Sequence, residues 1–408
     1  MTTLIPMSPK EVKKIEIVRD IRAGRLTQRE AAALLGVTDR AVRLWQRAYE
    51  AGGARRLIHQ SRGKVSPRKM PDTDRARIVS LLRTQFPDFG PTLAAEKLAE
   101  HYNIQRDAKT LWSIMVAERL WIPRRLRRGG KIPVFRQWRE RRAHRGELVQ
   151  FDGSYHDWFE GRGGLKETCL LAAIDDATGE LLRLAFAAHE GVLPVMGFWA
   201  AYTTTHGLPR SIYLDRFSTY KMNASVAPSN HDLKTQLQRA METLGVELIF
   251  ALSPQAKGRV ERLFKTLQDR LCKELRLAGI ATVEEANRFL ATRFVPAFNR
   301  RHAVAPRAEA DVHRPLGLRD QKLLPETLCR VETRQVMHDF TVSFQSAWHQ
   351  ILPTPGLAIR PKDEVLVRQY TDGTVSFTIR NKRVATRPIA KAPYMRNVKK
   401  NGPILVAA

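Results

Sequence analysis

The chain has 408 residues, 43% of them apolar, and 69 lysines and arginines against 41 acids, giving a net charge of +28 and a pI near 10.6. That length predicts two to four domains, the apolar content excludes a disordered polyelectrolyte, and no apolar run approaches the roughly 20 residues of a membrane-spanning helix. So large a positive excess goes beyond any solubility need and points to a polyanionic partner.

Residues 1–60 read as a helix-turn-helix DNA-binding domain of three short helices. Glu11 to Arg22 sets Val12, Ile15 and Val18 at helical spacing. Thr27-Gln28-Arg29-Glu30 is a capping box opening a second helix through Leu35. After a tight turn at Gly36-Val37, Thr38 caps a third helix that runs to about Glu50 and closes at Gly52-Gly53. Asp39, Arg40, Arg43, Gln46 and Arg47 are expected on its exposed side, and Leu44 and Trp45 on its core side. Arginine and glutamine are side chains that reach base edges and phosphates in a major groove.

Residues 70–122 repeat the theme as a second helical DNA-binding domain. One helix is expected from about Thr73 to Gln85. A second starts at Pro91 and buries Leu93, Ala94, Leu98 and Ala99. A third is capped by Asp107 and carries Leu111, Trp112, Met115 and Val116, with Lys109 and Ser113 as candidate DNA contacts. Residues 123–147 form a basic linker. Arg124, Arg125, Arg127 and Arg128 lead it, Arg136, Arg139, Arg141, Arg142 and Arg145 follow, and only Glu140 and Glu147 interrupt. Such residues contact phosphates and set salt dependence rather than base preference.

Residues 148–305 change character. Strands are expected at Leu148 to Phe159, Lys166 to Ile174 and Leu181 to Ala187, the last two joined by the turn Asp175-Asp176-Ala177-Thr178-Gly179. There follow a helix from Val192 to His206, a strand from Ser211 to Leu214, a helix from His231 to Leu244, a strand from Val246 to Ala251 and a long helix from Lys257 to Arg276. Hairpin strands followed by alternating helices and strands predict a mixed α/β sheet. Residues 328–408 turn to short strands: Val331 to Phe344, Glu364 to Tyr370 and Val375 to Ile379. The last pair is joined at Thr371-Asp372-Gly373-Thr374. A small β-barrel is expected there, with a basic tail holding Lys391, Arg396, Lys399 and Lys400. Cys169, Cys272 and Cys329 are few, odd in number and far apart, with neither a disulfide framework nor a zinc pattern. Met1-Thr2-Thr3-Leu4-Ile5-Pro6 lacks the plan of a signal peptide, so a cytoplasmic protein is expected.

Three acids stand at the ends of different elements: Asp152, Asp215 and Glu261. On its strand Asp152 shares a face with Gln150, Ser154 and His156, while Phe151, Tyr155 and Asp157 point the other way. Asp215 ends a buried strand, where α/β sites tend to open. On the long helix Val260, Phe264, Leu267 and Leu271 form the core stripe, with Glu261, Lys265 and Gln268 beside it. Any one of these acids alone is more often a cap or a surface charge than a ligand. The set, in a basic chain, reads as carboxylates able to hold two divalent metals for phosphoryl transfer. Asp175 and Asp176 are expected to form the turn, and His156 to have a structural or substrate-contacting role.

On Gln150-Phe151-Asp152-Gly153-Ser154, Leu214-Asp215 and Lys257-Gly258-Arg259-Val260-Glu261-Arg262-Leu263-Phe264-Lys265, residues 148–300 resemble the catalytic core of retroviral integrases and bacterial insertion-sequence transposases of the Asp-Asp-Glu group. With the flanking modules the resemblance covers nearly the whole chain and lies nearest to elements of the ISNCY type. It implies an RNase H-like core in which Asp152 bridges two Mg²⁺ ions (Mn²⁺ able to substitute), Asp215 and Glu261 hold one each, and Lys257 and Lys265 contact DNA. It also implies cleavage at a transposon end followed by strand transfer into target DNA, with double-stranded DNA as partner and a homo-oligomer, dimer or higher, assembled on it. Two features depart from integrases. Asp215 and Glu261 are further apart, with residues 223–230 as a loop insertion, and there is no His/Cys zinc module. The rival readings are a non-catalytic regulator descended from a transposase and an RNase H-like structure-selective nuclease. The intact trio with Lys265 argues against the regulator, and two helix-turn-helix modules favour end recognition over the nuclease.

Overall fold

A computed structural model describes residues 7–59, 69–123, 140–215, 230–251 and 258–390, with backbone alone at Asp215, 230–235, Ala251 and Gly258. Arg124, Arg125, Arg127, Arg128, Arg136, Arg139, Tyr220, the insertion before Asn230, Lys257 and the tail residues Lys391, Arg396, Lys399 and Lys400 lie outside the described residues. The chain divides into two units, Met1–Gly129 and Gly130–Ala408.

In the first unit, short polar sequences place the helix starts. Ser8 opens α1 (Pro9–Arg22), with Glu11 accepting from its amide (2.8 Å) and its hydroxyl (2.9 Å). Thr27 opens α2 (Gln28–Leu35) in the same way, with Glu30 accepting from its amide and hydroxyl, both at 2.7 Å. Each box satisfies backbone donors that a helix N-terminus otherwise leaves orphaned. Gly36, at φ 62°, ends α2 in the left-handed region, and Thr38 caps α3 (Asp39–Gly52). Ile17, Ala31, Ala32 and Val42 form one small core, and Ile15, Val18 and Leu57 a second. Two expected core residues are not in it. Val12 is exposed on α1, and Leu44 is 54% exposed on α3. Trp45 does pack inward, with the Lys14 ammonium 4.6 Å from its ring centre.

The second trio is α4 (Asp72–Thr84), α5 (Pro91–Tyr102) and α6 (Ala108–Ala117). Asp107 caps α6 through the Thr110 amide (2.9 Å). Ile78, Leu82, Phe86, Phe89, Leu93, Leu98, Leu111 and Met115 are buried. Ile114 occupies the core position expected for Trp112, which is 42% exposed. Glu118 accepts from Arg75 (3.0 Å) and Arg83 (3.1 Å), tying the end of α6 to α4.

The second unit is built on a five-stranded sheet in the order β3-β2-β1-β4-β5: β1 (Val149–His156), β2 (Thr168–Asp175), β3 (Leu181–Ala187), β4 (Ser211–Asp215) and β5 (Glu247–Ala251). The first three strands are antiparallel, and β4 runs parallel to both β1 and β5. Helices α7 (Val192–His206) and α8 (Asn230–Thr243) cover one face, where Val149, Phe151, Leu171, Val195, Trp199 and Leu237 share a core. Helix α9 (Gly258–Leu277) covers the other, packing Val260, Phe264, Leu267 and Leu271 against Leu170, Ala172 and Phe186. The described part of the expected linker, 140–147, is folded onto this sheet rather than extended for phosphates. The Arg141 guanidinium donates to the Ala177 carbonyl (3.1 Å), and Arg145 lies between Glu180 (2.7 Å) and Asp311 (2.5 Å).

A helical run absent from the sequence reading lines the outer edge of this sheet: α10 (Val283–Phe289), a π turn at Leu290–Phe294 and α11 (Val295–His302). Asn287 accepts from the Phe186 amide (2.7 Å) and donates to its carbonyl (3.1 Å). Asn299 does the same for Leu181 (2.8 and 2.9 Å). Twelve helical residues rise about 18 Å and five strand residues about 17 Å. The two carboxamides therefore meet β3 at matched intervals and complete hydrogen bonds that an edge strand lacks.

Beyond α12 (Leu318–Thr327), the expected barrel is not closed. Among the described residues β6 (Arg330–Gln335), β9 (Glu364–Gln369), β10 (Val375–Ile379) and β11 (Lys382–Val384) form one open sheet. Strands β7 (Thr341–Phe344), β8 (Ala347–Ile351) and β12 (Thr386–Ile389) form another. Val336, Val342, Val365, Phe377 and Ile379 share the core between them. What reads as one strand from Val331 to Phe344 breaks at residues 336–340, where Phe340 turns to φ 57° and β7 leaves for the second sheet.

Asn287→Ala and Asn299→Ala should each strip a buried strand residue of two partners. Each should cost about 1–3 kcal/mol in urea unfolding; unchanged midpoints for both would refute the edge-sealing role.

Candidate active site and DNA-reading helices

Two of the expected acids stand on neighbouring strands, β1 and β4. Gln150 of β1 pairs with Tyr213 of β4 in the parallel ladder. The ladder ends at that pair, and Asp152 and Asp215 each follow it by two residues on their strands. Asp215 is also the last residue of β4, where it pairs with Ala251.

The third acid is placed by two polar clamps between β1 and α9. At one end Gln150, fully buried, donates to the Asp176 carboxylate (2.7 Å), which also takes the Arg259 guanidinium in an ion pair. At the other end Gln268 donates to the Ser154 hydroxyl (3.3 Å). From Gln150 to Ser154 the strand advances about 13 Å. From Arg259 to Gln268 the helix advances about 13 Å in the same direction. The helix therefore lies alongside β1 and runs parallel to it, and both Asp152 and Glu261 fall between the clamps. Asp152 is half-buried, while Glu261 and, one turn on, Lys265 are exposed. Among the described residues no three His, Cys, Asp or Glu side chains form a metal-holding cluster; the side chain of Asp215 is not among those described.

Asp176 is more than the turn former expected. It is 0% exposed and accepts from Gln150, from the Arg142 amide (3.0 Å) and from Arg259. A carboxylate taken out of water needs such donors. Asp175 does form the turn, accepting from the amide and hydroxyl of Thr178, both at 2.8 Å, and from the Gly146 amide (2.8 Å). The pattern Asp-Asp beside a turn hid this division; the arginine two residues before Glu261 was the available signal.

Other groups near Asp152 are structural. Burial pushes the Cys169 thiol well above its ordinary range, with Glu190 and then Asp152 adding to the effect. Burial also pushes the Tyr155 phenol up to about 12. Its hydroxyl oxygen accepts from the Glu190 amide (2.8 Å). A side chain at Gly153 would meet the Glu190 carboxylate at 2.6 Å, so Glu190 would have to move aside for one. His156 packs edge-on against Trp158 at 5.2 Å. Tyr213 is buried with Leu148.

On α3, Arg40, Arg43 and Arg47 are exposed. Gln46 is half-buried and accepts from the Gln28 carboxamide (2.6 Å). On α6, Lys109 and Ser113 are exposed, with the Ser113 hydroxyl donating to the Lys109 carbonyl (3.0 Å).

Two family profiles match the N-terminal region: a helix-turn-helix domain over residues 13–64 and a homeodomain-like domain over residues 41–115. The putative transposase y4bF of Sinorhizobium fredii is 40% identical over 343 residues, which cover 84% of this chain and 73% of that protein. The transposase for insertion sequence IS1202 of Streptococcus pneumoniae is 27% identical over 413 residues, covering 93% and 86%. Among solved structures, a chain of the simian T-cell lymphotropic virus intasome in complex with a PP2A regulatory subunit matches at 12% identity and a TM-score of 0.32, covering 71% of this chain and 98% of its own.

Arg259→Met should leave the Asp176 charge buried without its cation and cost about 3–5 kcal/mol in unfolding free energy. The double variant Asp176→Asn with Arg259→Met should recover part of that loss. Additive losses would show that the pair is not coupled.

Proposed function

This chain belongs to the transposases of bacterial insertion sequences, and on that basis we propose that it joins transposon ends to target DNA through the carboxylates Asp152, Asp215 and Glu261. The reading is supported by the neighbouring strands β1 and β4 that carry Asp152 and Asp215, together with the clamps between β1 and the helix that carries Glu261. The strand order β3-β2-β1-β4-β5, antiparallel in its first three strands, supports an RNase H-like core. We read the chain as DNA-binding modules at 1–60 and 70–122, a linker at 123–147 whose last part, from residue 140, packs on the core, a catalytic core at 148–305 and a two-sheet module from 328.

The donor set suits a hard cation, since carboxylate oxygens favour Mg²⁺ or Mn²⁺ over softer metals. Asp152, Asp215 and Glu261 would together hold the ions. Bound there, the ions supply Lewis-acid stabilisation of the attacking and leaving oxygens. The protein's own contribution is positional. Asp176, Gln150 and Arg259 fix the advance of α9 along β1. Lys265, exposed one turn after Glu261, offers a cation to a backbone phosphate, and Lys257 is proposed for the same task. The exposed arginines of α3 and Lys109 and Ser113 of α6 hold the transposon end, while Arg124, Arg125, Arg127 and Arg128 add phosphate contacts that fade with salt. Water cleaves a phosphodiester at the end and frees a 3′-hydroxyl. That hydroxyl attacks a target phosphodiester, forming one P–O bond as the target's own 3′-oxygen leaves. Because two ends must be processed together, a dimer or higher assembly on DNA is proposed.

The test is joining of a pre-cleaved transposon end to plasmid DNA in Mg²⁺. Substituting a residue that orients a metal ligand costs 10–100-fold, so Asp152→Asn should lower joining by more than about 100-fold. EDTA should abolish it. Cleavage without joining would favour a nuclease, and end binding with neither activity a regulator.

A further inference from the structure

We propose that Leu44 is a base-reading residue that contacts the methyl group of a thymine in the major groove of the transposon end. The inference rests on the reading of the first helix-turn-helix module as an end-binding element and adds a specificity determinant to it. Leu44 is the sixth residue of α3, in the N-terminal half from which such helices address base edges. Taking about 100° per residue, it lies roughly 200° around the helix from Val42, which is fully buried and marks the core direction. On the same construction Arg40 and Arg47 stand within about 60° of it and Arg43 within about 100°. A leucine more than half exposed thus sits amid three exposed arginines on the outward face.

The chemistry of that face selects its partner. Three guanidinium groups favour a phosphate-lined surface, and a second copy of so basic a chain would meet them with like charge. Guanidinium groups can bind phosphates or guanine edges, whereas an isobutyl group neither donates nor accepts a hydrogen bond. In the major groove the thymine 5-methyl is the apolar feature that separates a T·A pair from the others. Leu44 therefore supplies what the arginines cannot, a contact that registers a methyl group.

The experiment uses the full chain and a duplex selected by it from a random library. Each thymine in that duplex is replaced in turn by deoxyuridine, which lacks only the methyl, and dissociation constants are measured for wild type and Leu44→Ala. A buried methyl-sized group is worth close to a fourfold change in affinity, so wild type should lose about fourfold at one position or an adjacent pair. Leu44→Ala should bind the parent duplex as weakly as wild type binds that deoxyuridine duplex, and should itself be indifferent to the replacement. An equal deoxyuridine penalty in both proteins, or none at any position in wild type, would overturn the role of Leu44 while leaving end binding intact. So would a change of oligomeric state in Leu44→Ala with thymine sensitivity retained. Recovery of no preferred duplex by wild type would instead sink the end-binding reading itself, and the proposal with it.

Discussion

One buried charge organises the second unit. The Asp176 carboxylate lies out of water at the end of the β2 hairpin and draws a donor from each of three directions: the Gln150 side chain of β1, the Arg142 amide of the incoming chain and the Arg259 guanidinium of α9. The helix that carries Arg259 lies more than 80 residues from Asp176 in sequence. A wrong register of β1, or a slide of α9 by one turn, would leave an ion in apolar surroundings, which is among the costliest errors a fold can make. Hydrophobic contacts between α9 and the sheet supply most of the cohesion but tolerate small sliding. The charge does not, and it thereby fixes how far Glu261 stands along β1 from Asp152.

Much of the scaffold was legible because local chemistry and final structure agree. Thr27 with its glutamate, Thr38 and Asp107 announce helix starts, and the Val260, Phe264, Leu267, Leu271 stripe announces the buried face of α9. What sequence hid is set by partners distant along the chain. Leu44 and Trp112 look like core residues by polarity, yet Val42 and Ile114 occupy the inward positions. Asp176 looks like half of a turn until Arg259 is seen against it. The break within 331–344 depends on a turn with no glycine, built on Phe340 at positive φ. The helices at 283–302 carry polar residues whose purpose appears only beside β3. Of the proposed site, the acids were readable from their motifs; the clamps that hold them in common register were not, since hydrogen-bond partners carry no sequence spacing.

Arginine is used in two ways in this chain. In the first, Arg40, Arg43 and Arg47 stand in solvent, ready for an external polyanion. In the second, Arg145 is held between Glu180 and Asp311 and Arg259 against Asp176, so their charge is already neutralised. Net charge alone therefore overstates the surface on offer to DNA.

The seal on β3 has a consequence for how the protein is made. The asparagines that complete its outer hydrogen bonds lie 101 and 118 residues downstream of the backbone groups they bind. At synthesis rates of about 5–20 residues per second, β3 leaves the ribosome some 5–24 s before its seal exists. For that interval a nascent chain carries an apolar strand with an open edge, and polysomes bring many such chains close together. The late helices thus act as a closing step in biogenesis, and a truncated product ending before residue 287 would keep that edge permanently exposed.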